Sequence, residues 1–223
     1  MSAASRCIKL TYLNLKFIAE PIRLTLFMGD IPFKDERIDH EEVCRRRSAG
    51  VLPFGQVPVL NVDGKVYTQS SAILRWAGTQ TGLYTPDIQL SCDEILGALS
   101  DINSWFKPLW FGHVLGRNPA SGEKLVAMTE GQKAEALDVA NRSLFPQMFG
   151  MLSRRLGDGE YFCGGKMTIA DVQWYVMGGG LLDGTYEGGI VTGDVLKDFP
   201  NLVQLVDRVG AHPRVVLWNK NHQ

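Results

Sequence analysis

Strand-like alternation is confined to the first third of this chain, and that asymmetry sets what it can fold into. Cys7-Ile8-Lys9-Leu10-Thr11-Tyr12 alternates with period two, putting Ile8, Leu10 and Tyr12 on one face and Lys9 and Thr11 on the other. Phe33 to Ile38 reads as a second strand. Val57 to Val62 and Lys65 to Tyr67 read as a hairpin around Asp63-Gly64, a strong two-residue turn signal. Between the strands, Glu20-Pro21 opens a helix, because proline is tolerated in a first turn and an acid suits the positive end of the helix dipole. Ile22, Leu24, Leu26 and Phe27 supply its apolar positions, and Gly29 supplies a stop. Glu41 to Ala49 reads as a short, very charged helix or an irregular segment, and Ser70 to Thr81 as a helix ending at Gly82. The order β-α-β-α-β-β-α describes a compact α/β domain over residues 1–84.

Thr85-Pro86-Asp87 marks a linker, taken as 85–90. Beyond it Asp93 to Trp105, Glu123 to Leu156, Thr168 to Met177 and Leu202 to Val209 all carry helical spacing, so 91–223 is expected to be all-α. Gly178-Gly179-Gly180, Gly184, Gly188-Gly189 and Gly193 crowd into sixteen residues, which predicts a loop. A chain of 223 residues is long enough for two such domains with real cores. The net charge of −1 gives no bulk attraction to nucleic acid or to an anionic membrane. The four cysteines, Cys7, Cys44, Cys92 and Cys163, are scattered without a C-x-x-C pair, which removes a dithiol motif or zinc ribbon. No His, Cys and Asp cluster has metal-ligand spacing, so no metal is expected. No apolar leader or membrane-spanning stretch occurs, and a reducing cytosol is the expected compartment.

One corner of the α/β half carries chemistry. In Leu52-Pro53-Phe54-Gly55-Gln56-Val57-Pro58 a strand is entered through an X-Pro bond, and proline donates no ladder hydrogen bond. Val57 is thereby left with backbone groups facing outward. Gln69-Ser70 starts a helix, whose free N–H groups and positive dipole end hold a carboxylate. Such a corner suits a peptide-like anionic ligand. Tyr12, ending the first strand, either packs its ring into the core or offers its hydroxyl as a neutral donor. Ser70 reads equally as a plain N-cap, and Arg45-Arg46-Arg47 as a solvated face. Thr168-Ile169-Ala170-Asp171 is a capping box whose role is folding.

Lys9-Leu10-Thr11-Tyr12, Ala19-Glu20-Pro21-Ile22-Arg23, Leu52 to Pro58, Gln69-Ser70, Thr168 to Asp171 and His212-Pro213-Arg214-Val215, in that order, resemble the cytosolic glutathione S-transferases. The likeness is greatest to their sigma class, which includes haematopoietic prostaglandin D synthase and the crystallins of cephalopod lenses. It implies a thioredoxin-like domain followed by an all-helical one, a cytoplasmic homodimer, and glutathione as co-substrate. It makes Tyr12 the hydrogen-bond donor to the glutathione thiolate. An ordinary thiol has a pKa of about 8.5, and lowering it by about two units takes roughly 2.7 kcal/mol of preference for the anion, the strength of a charge-assisted hydrogen bond.

The same resemblance makes Val57-Pro58 a cis bond whose backbone pairs with the cysteinyl part of glutathione. It gives Gln69 and Ser70 the γ-glutamyl end and sets Gln56 near the glycine end. Asp101 is assigned to the α-amino group of glutathione in the other subunit, against the plainer reading of a solvated helix charge. The family's Trp and Lys for the glycine carboxylate are not in register here, and one of the three arginines is a candidate replacement. Lys16-Phe17-Ile18 stands where the family loop reads with glycine and arginine. Ile18 cannot donate a hydrogen bond, and Leu13, Phe17, Ile18, Trp105, Phe106 and Trp110 make a greasy acceptor site. Conjugation, prostanoid isomerisation and hydroperoxide reduction all suit one such thiolate. The rival on the same fold is a ligand carrier or crystallin-like protein without turnover.

Overall fold

A computed structural model describes residues 6–110, 124, 129–186 and 193–222, with the side chains of 106–110, 133, 136 and 193 left out. The chain divides into two compact units, Met1–Gln89 together with His212–Gln223, and Leu90–Ala211.

The first unit is built on a four-stranded sheet in the order β2-β1-β3-β4. Its strands are β1 (Ile8–Leu13), β2 (Lys34–Ile38), β3 (Val59–Val62) and β4 (Lys65–Thr68). β1 and β2 are parallel and so need a crossover, which α1 (Glu20–Met28) supplies. The other two pairings are antiparallel. In the β3–β4 turn both Asp63 (φ 52°) and Gly64 (φ 87°) are left-handed, the conformation a tight hairpin demands and these residue types tolerate. The alternation in β1 is real: Ile8, Leu10 and Tyr12 are buried, and the Arg23 guanidinium of α1 lies 5.8 Å from the centre of the Tyr12 ring. That face of β1 is therefore covered by α1, against which α3 (Ser70–Thr81) packs. Gly29 does end α1, but with φ −89° it is not a left-handed cap. Its reason is proximity, since a Cβ there would lie 2.3 Å from Thr81 Cγ2 of α3.

Period two sends Leu13 to the opposite face, where it packs with Val57 against Ile38, Val43, Leu52 and Val59. Val43 belongs to α2 (His40–Ser48), the charged segment, which is a regular helix. Asp39 caps it by accepting from Glu42 N at 2.7 Å, and Arg46 ties it to Glu36 of β2 at 2.8 Å.

The expected all-helical domain of 91–223 differs at its end. α9 (Pro213–Asn221) belongs to the first unit. Trp218 packs against Phe27 with the rings tilted at 58° and their centres 5.1 Å apart, and its indole N–H donates to Glu20 at 2.7 Å. Arg214 donates to the Phe27 carbonyl at 2.7 Å and to Asp30. The buried side of α9 thus covers α1, which a linear pattern cannot foresee.

The second unit contains α4 (Gln89–Trp110), α5 (Glu130–Val139), a π-helical turn (Ala140–Leu144), α6 (Phe145–Leu156), α7 (Ile169–Leu182), a 3-10 turn (Gly193–Leu196) and α8 (Pro200–Gly210). Trp174 is its fully buried centre, edge-on to Phe149 and donating to the Leu202 carbonyl at 2.9 Å. The capping box closes α7 as expected. Buried Asp171 accepts from Thr168 N (2.7 Å), Thr168 Oγ1 (2.8 Å) and Phe162 N (2.9 Å). The glycine run is a correction: Gly178, Gly179 and Gly180 lie inside α7. The first is there for packing, because a Cβ on Gly178 would meet Val206 at 2.8 Å and Trp174 at 2.9 Å. Gly188 and Gly189 lie outside the described residues.

Candidate active site

Strand register assembles the corner. β1 pairs with β3 so that Thr11 faces Val59, and one step further sets Tyr12 beside Pro58. β3 pairs with β4 so that Val59 faces Thr68, and one step further brings Gln69 to the same end. Tyr12, Val57-Pro58 and Gln69-Ser70, far apart in sequence, therefore share one end of the sheet. The Val57-Pro58 peptide is cis, and ladder pairing starts only at Val59, so Val57 stays outside it. Gln69 is the N-cap of α3, exposed, with φ 69° and ψ 107°. A left-handed backbone at a non-glycine residue costs about 1–3 kcal/mol and persists where surrounding structure imposes it. The Gln69 side chain makes no capping bond to α3, whose first-turn N–H groups carry the dipole's positive end. Ser70 is the first helical residue and not the cap.

Beneath this end runs a buried polar chain that sequence spacing did not reveal. Arg23 is fully buried. Its guanidinium donates to Asp35 (3.0 Å), Glu20 (3.1 Å) and the carbonyls of Leu15 (2.8 Å) and Lys16 (3.3 Å). Asp35 is held in turn by Arg37 at 2.8 Å, and Glu20 by Trp218. Arg23 thus fastens the loop after Tyr12 while its cation sits over the Tyr12 ring. The one signal available was the pair of charged residues, Glu20 and Arg23, set three apart among apolar helix positions.

The three arginines have separate fates. Arg45 is occupied by Glu42 at 2.6 Å, and Arg46 by both Glu42 (2.6 Å) and Glu36 (2.8 Å). Those bonds hold the Glu36 carboxyl down at about 2, with Arg46 the main cause. Arg47 alone of the three reaches the loop before the cis proline, donating from Nε to the Gly55 carbonyl at 2.6 Å. It stands next to exposed Gln56, in a turn where Gly55 has φ 65° and donates to Leu52 O.

A family model described as the glutathione S-transferase C-terminal domain matches residues 123–222. The human haematopoietic prostaglandin D synthase is 32% identical over 95% of this chain and 94% of its own length. The Gallus gallus protein of the same name is 31% identical over 94% of each. The solved prostaglandin synthase D of Nilaparvata lugens superposes with a TM-score of 0.78 at 26% identity, covering 97% of this chain and 98% of that one. The chain belongs to the cytosolic glutathione S-transferase family. It is an enzyme of that family with the family's thioredoxin-like and helical domains, and glutathione is its co-substrate.

The transferase places the remaining expected residues unevenly. Leu13 is half-buried and largely engaged in the α2-side core, which leaves it little to offer an acceptor. Phe17 and Ile18 are half-buried in a 3-10 turn (Phe17–Ala19) that follows the β1 loop. Phe17 has φ 42°, so this side chain occupies the backbone conformation that a glycine takes freely. On α4, Asp101 and Trp105 are exposed and line a hollow of about 350 Å³ with Ser104, Gln147, Met148 and Met151. The side chains of Phe106 and Trp110 lie outside the described residues. Among the described residues no group of three His, Cys, Asp or Glu side chains could hold a metal, and no helix is long and apolar enough to cross a membrane.

Proposed function

We propose that the transferase binds glutathione along the shared end of its sheet and converts its thiol to thiolate with Tyr12. The observation that supports this most is the register that brings Tyr12, Val57-Pro58 and Gln69-Ser70 to one place beside the N-terminus of α3. The γ-glutamyl carboxylate takes the N–H groups and hydroxyl at Ser70, with the Gln69 amide alongside. The cysteinyl backbone adds to Val57 as a strand would. Its sulfur then lies at the end of β1, where the Tyr12 hydroxyl donates to the anion. The glycine carboxylate goes to Arg47 next to Gln56, because Arg45 and Arg46 are committed to acids.

Catalysis then consists of making the thiolate and positioning it. The acceptor is a hydrophobic electrophile, with Phe17 and Ile18 as the apolar wall on this unit. The thiolate sulfur adds to the acceptor directly, and no bond to the enzyme forms. The active form is a homodimer in the cytosol, in which Asp101 reaches the glutathione α-amino group held by a second copy. The exposed apolar Trp105 and Met151 around Asp101 support an interface there.

The test follows the pH dependence of thiolate absorbance for glutathione bound to wild type and to Tyr12→Phe. Phe keeps the ring packing over Arg23 and removes only the hydroxyl. Losing a charge-assisted hydrogen bond of about 1.5–3 kcal/mol raises the bound thiol's pKa by about one to two units. Turnover near neutral pH drops about 10- to 100-fold in step, and the deficit shrinks above pH 9. A bound thiol that titrates like free glutathione in wild type refutes the reading.

A further inference from the structure

Tyr12 does not stand alone at the end of β1, because a buried arginine grips the turn that follows it. Arg23 of α1 is fully buried, with Asp35 of β2 on its Nε at 3.0 Å and Glu20 on its Nη1 at 3.1 Å. Nη1 also donates to two successive carbonyls of that turn, Leu15 at 2.8 Å and Lys16 at 3.3 Å. The turn is closed further by Leu15 N on the Leu13 carbonyl at 2.7 Å and by Glu20 N on the Lys16 carbonyl at 3.1 Å. Arg37, in register with Tyr12 across the sheet, holds the other oxygen of Asp35 at 2.8 Å. All these groups belong to the first unit.

Two features exceed what holding the fold requires. Nη2 of Arg23 is buried without an oxygen or nitrogen partner among the described residues, while Nη1 serves three. An unmade buried donor is costly, and it marks a group that its surroundings constrain. What the guanidinium does face is the Tyr12 ring, 5.8 Å from its centre. The second feature is Phe17, which follows the two gripped carbonyls and has a left-handed φ of 42°. A side chain in that conformation relaxes to another backbone unless its surroundings forbid it. The grip on Leu15 and Lys16 is that restraint, and Tyr12 lies only three residues before it.

We propose that Arg23 is a positioning residue for the transfer step: it clamps the turn after Tyr12 and backs the phenol ring, so that the hydroxyl stays aimed at the glutathione sulfur. This role rests on Tyr12 being the thiolate donor. Being fully buried, Arg23 reaches neither glutathione nor the acceptor itself, and it acts through Tyr12 and the turn. Its cation is balanced by Glu20 and Asp35, and Asp35 is shared with Arg37. What Arg23 supplies to Tyr12 is therefore aim and not net charge. Lysine in its place keeps the charge, but one ammonium cannot span the Leu15 and Lys16 carbonyls together with Glu20 and Asp35. Arg23→Lys thus releases the clamp and keeps the cation.

The experiment measures kcat, KM for glutathione and the pH dependence of bound-thiolate absorbance in wild type, Arg23→Lys, Tyr12→Phe and the double variant. Counting kcat per glutathione bound keeps unfolded protein out of the comparison. In Arg23→Lys kcat falls about 10- to 100-fold, the scale of a misplacement near 1 Å. KM for glutathione stays within about twofold, and the bound thiol titrates closer to free glutathione. In the Tyr12→Phe background the same change costs less than about threefold, because the hydroxyl it aims is already gone. Asp35→Asn, at a partly exposed position, loosens Arg23 from its Nε side and gives the same pattern at about 2- to 5-fold. It carries the test, judged by the same outcomes, where Arg23→Lys does not fold. A lower thermal midpoint with wild-type kcat per site and wild-type thiol titration makes Arg23 structural only, and equal losses in both backgrounds mean that it does not act through Tyr12. Either result overturns the proposal. A Tyr12→Phe protein that keeps the wild-type thiol titration refutes the donor reading instead, and the role of Arg23 falls with it.

Discussion

Glu20→Gln is a near-isosteric change that isolates what the buried polar chain under Tyr12 is worth. Glu20 is 4% exposed and spends both oxygens: one accepts from the Trp218 indole at 2.7 Å, the other from Arg23 at 3.1 Å. Glutamine keeps the shape but turns one oxygen into a donor. Whichever way the amide lies, either the indole N–H or the guanidinium N–H faces another N–H. An orphaned buried donor costs about 1–3 kcal/mol. Arg23 also exchanges a charge-assisted bond for a neutral one, worth about another 1 kcal/mol, while Asp35 at 3.0 Å keeps it partly compensated. The total is about 2–4 kcal/mol. For a chain of this length each 1 kcal/mol moves the thermal midpoint by about 2–4 °C, so the variant melts roughly 5–15 °C lower by far-ultraviolet circular dichroism. A Glu20→Gln protein melting within 1 °C of wild type would refute the accounting and make this network ornamental.

Arg47→Ala should raise KM for glutathione about 5- to 10-fold while kcat changes less than twofold, since the thiolate donor lies elsewhere; Arg45→Ala should leave both unchanged, and equal effects would remove Arg47 from the glycine end. Gly178→Ala and Gly179→Ala should have opposite signs in urea denaturation. The first forces a Cβ to 2.8 Å from Val206 and loses about 1–3 kcal/mol. The second meets nothing closer than 3.8 Å and gains up to about 1 kcal/mol from helix propensity. Glu36, held near 2 by Arg46, contributes stability that is present above its unfolded value of about 4.3 and is lost as pH falls towards 2. After discounting for solvent screening this is on the order of 1 kcal/mol, so the stability gap between wild type and Glu36→Gln should close between pH 5 and 2.

What could be read from the chain was what depends on neighbours in sequence. The left-handed turn at Asp63-Gly64, the Gly82 cap (φ 76°) and the Thr168–Asp171 box each rest on residue types within a few positions of one another. The sheet end was legible because Tyr12, Pro58 and Gln69 each close or open a strand, and register does the rest. The misreadings share the opposite property. Gly178 lies inside α7 and answers to Val206, far along the chain; Gly29 does stop α1 as expected, but for room against Thr81 and not as a left-handed cap. The polar chain needed Trp218, a contact that no local pattern announces. Three adjacent arginines looked alike until Glu42, Glu36 and Gly55 sorted them.

The return of α9 to the first unit has a consequence during synthesis. When the ribosome has made residue 89, the first unit has its sheet and three helices but no Trp218 for Glu20 and no cover for Phe27. More than a hundred further residues must emerge before α9 exists, a wait of roughly 5–30 s at ordinary elongation rates. The helical unit is therefore translated while the first unit still lacks α9, which completes it only afterwards.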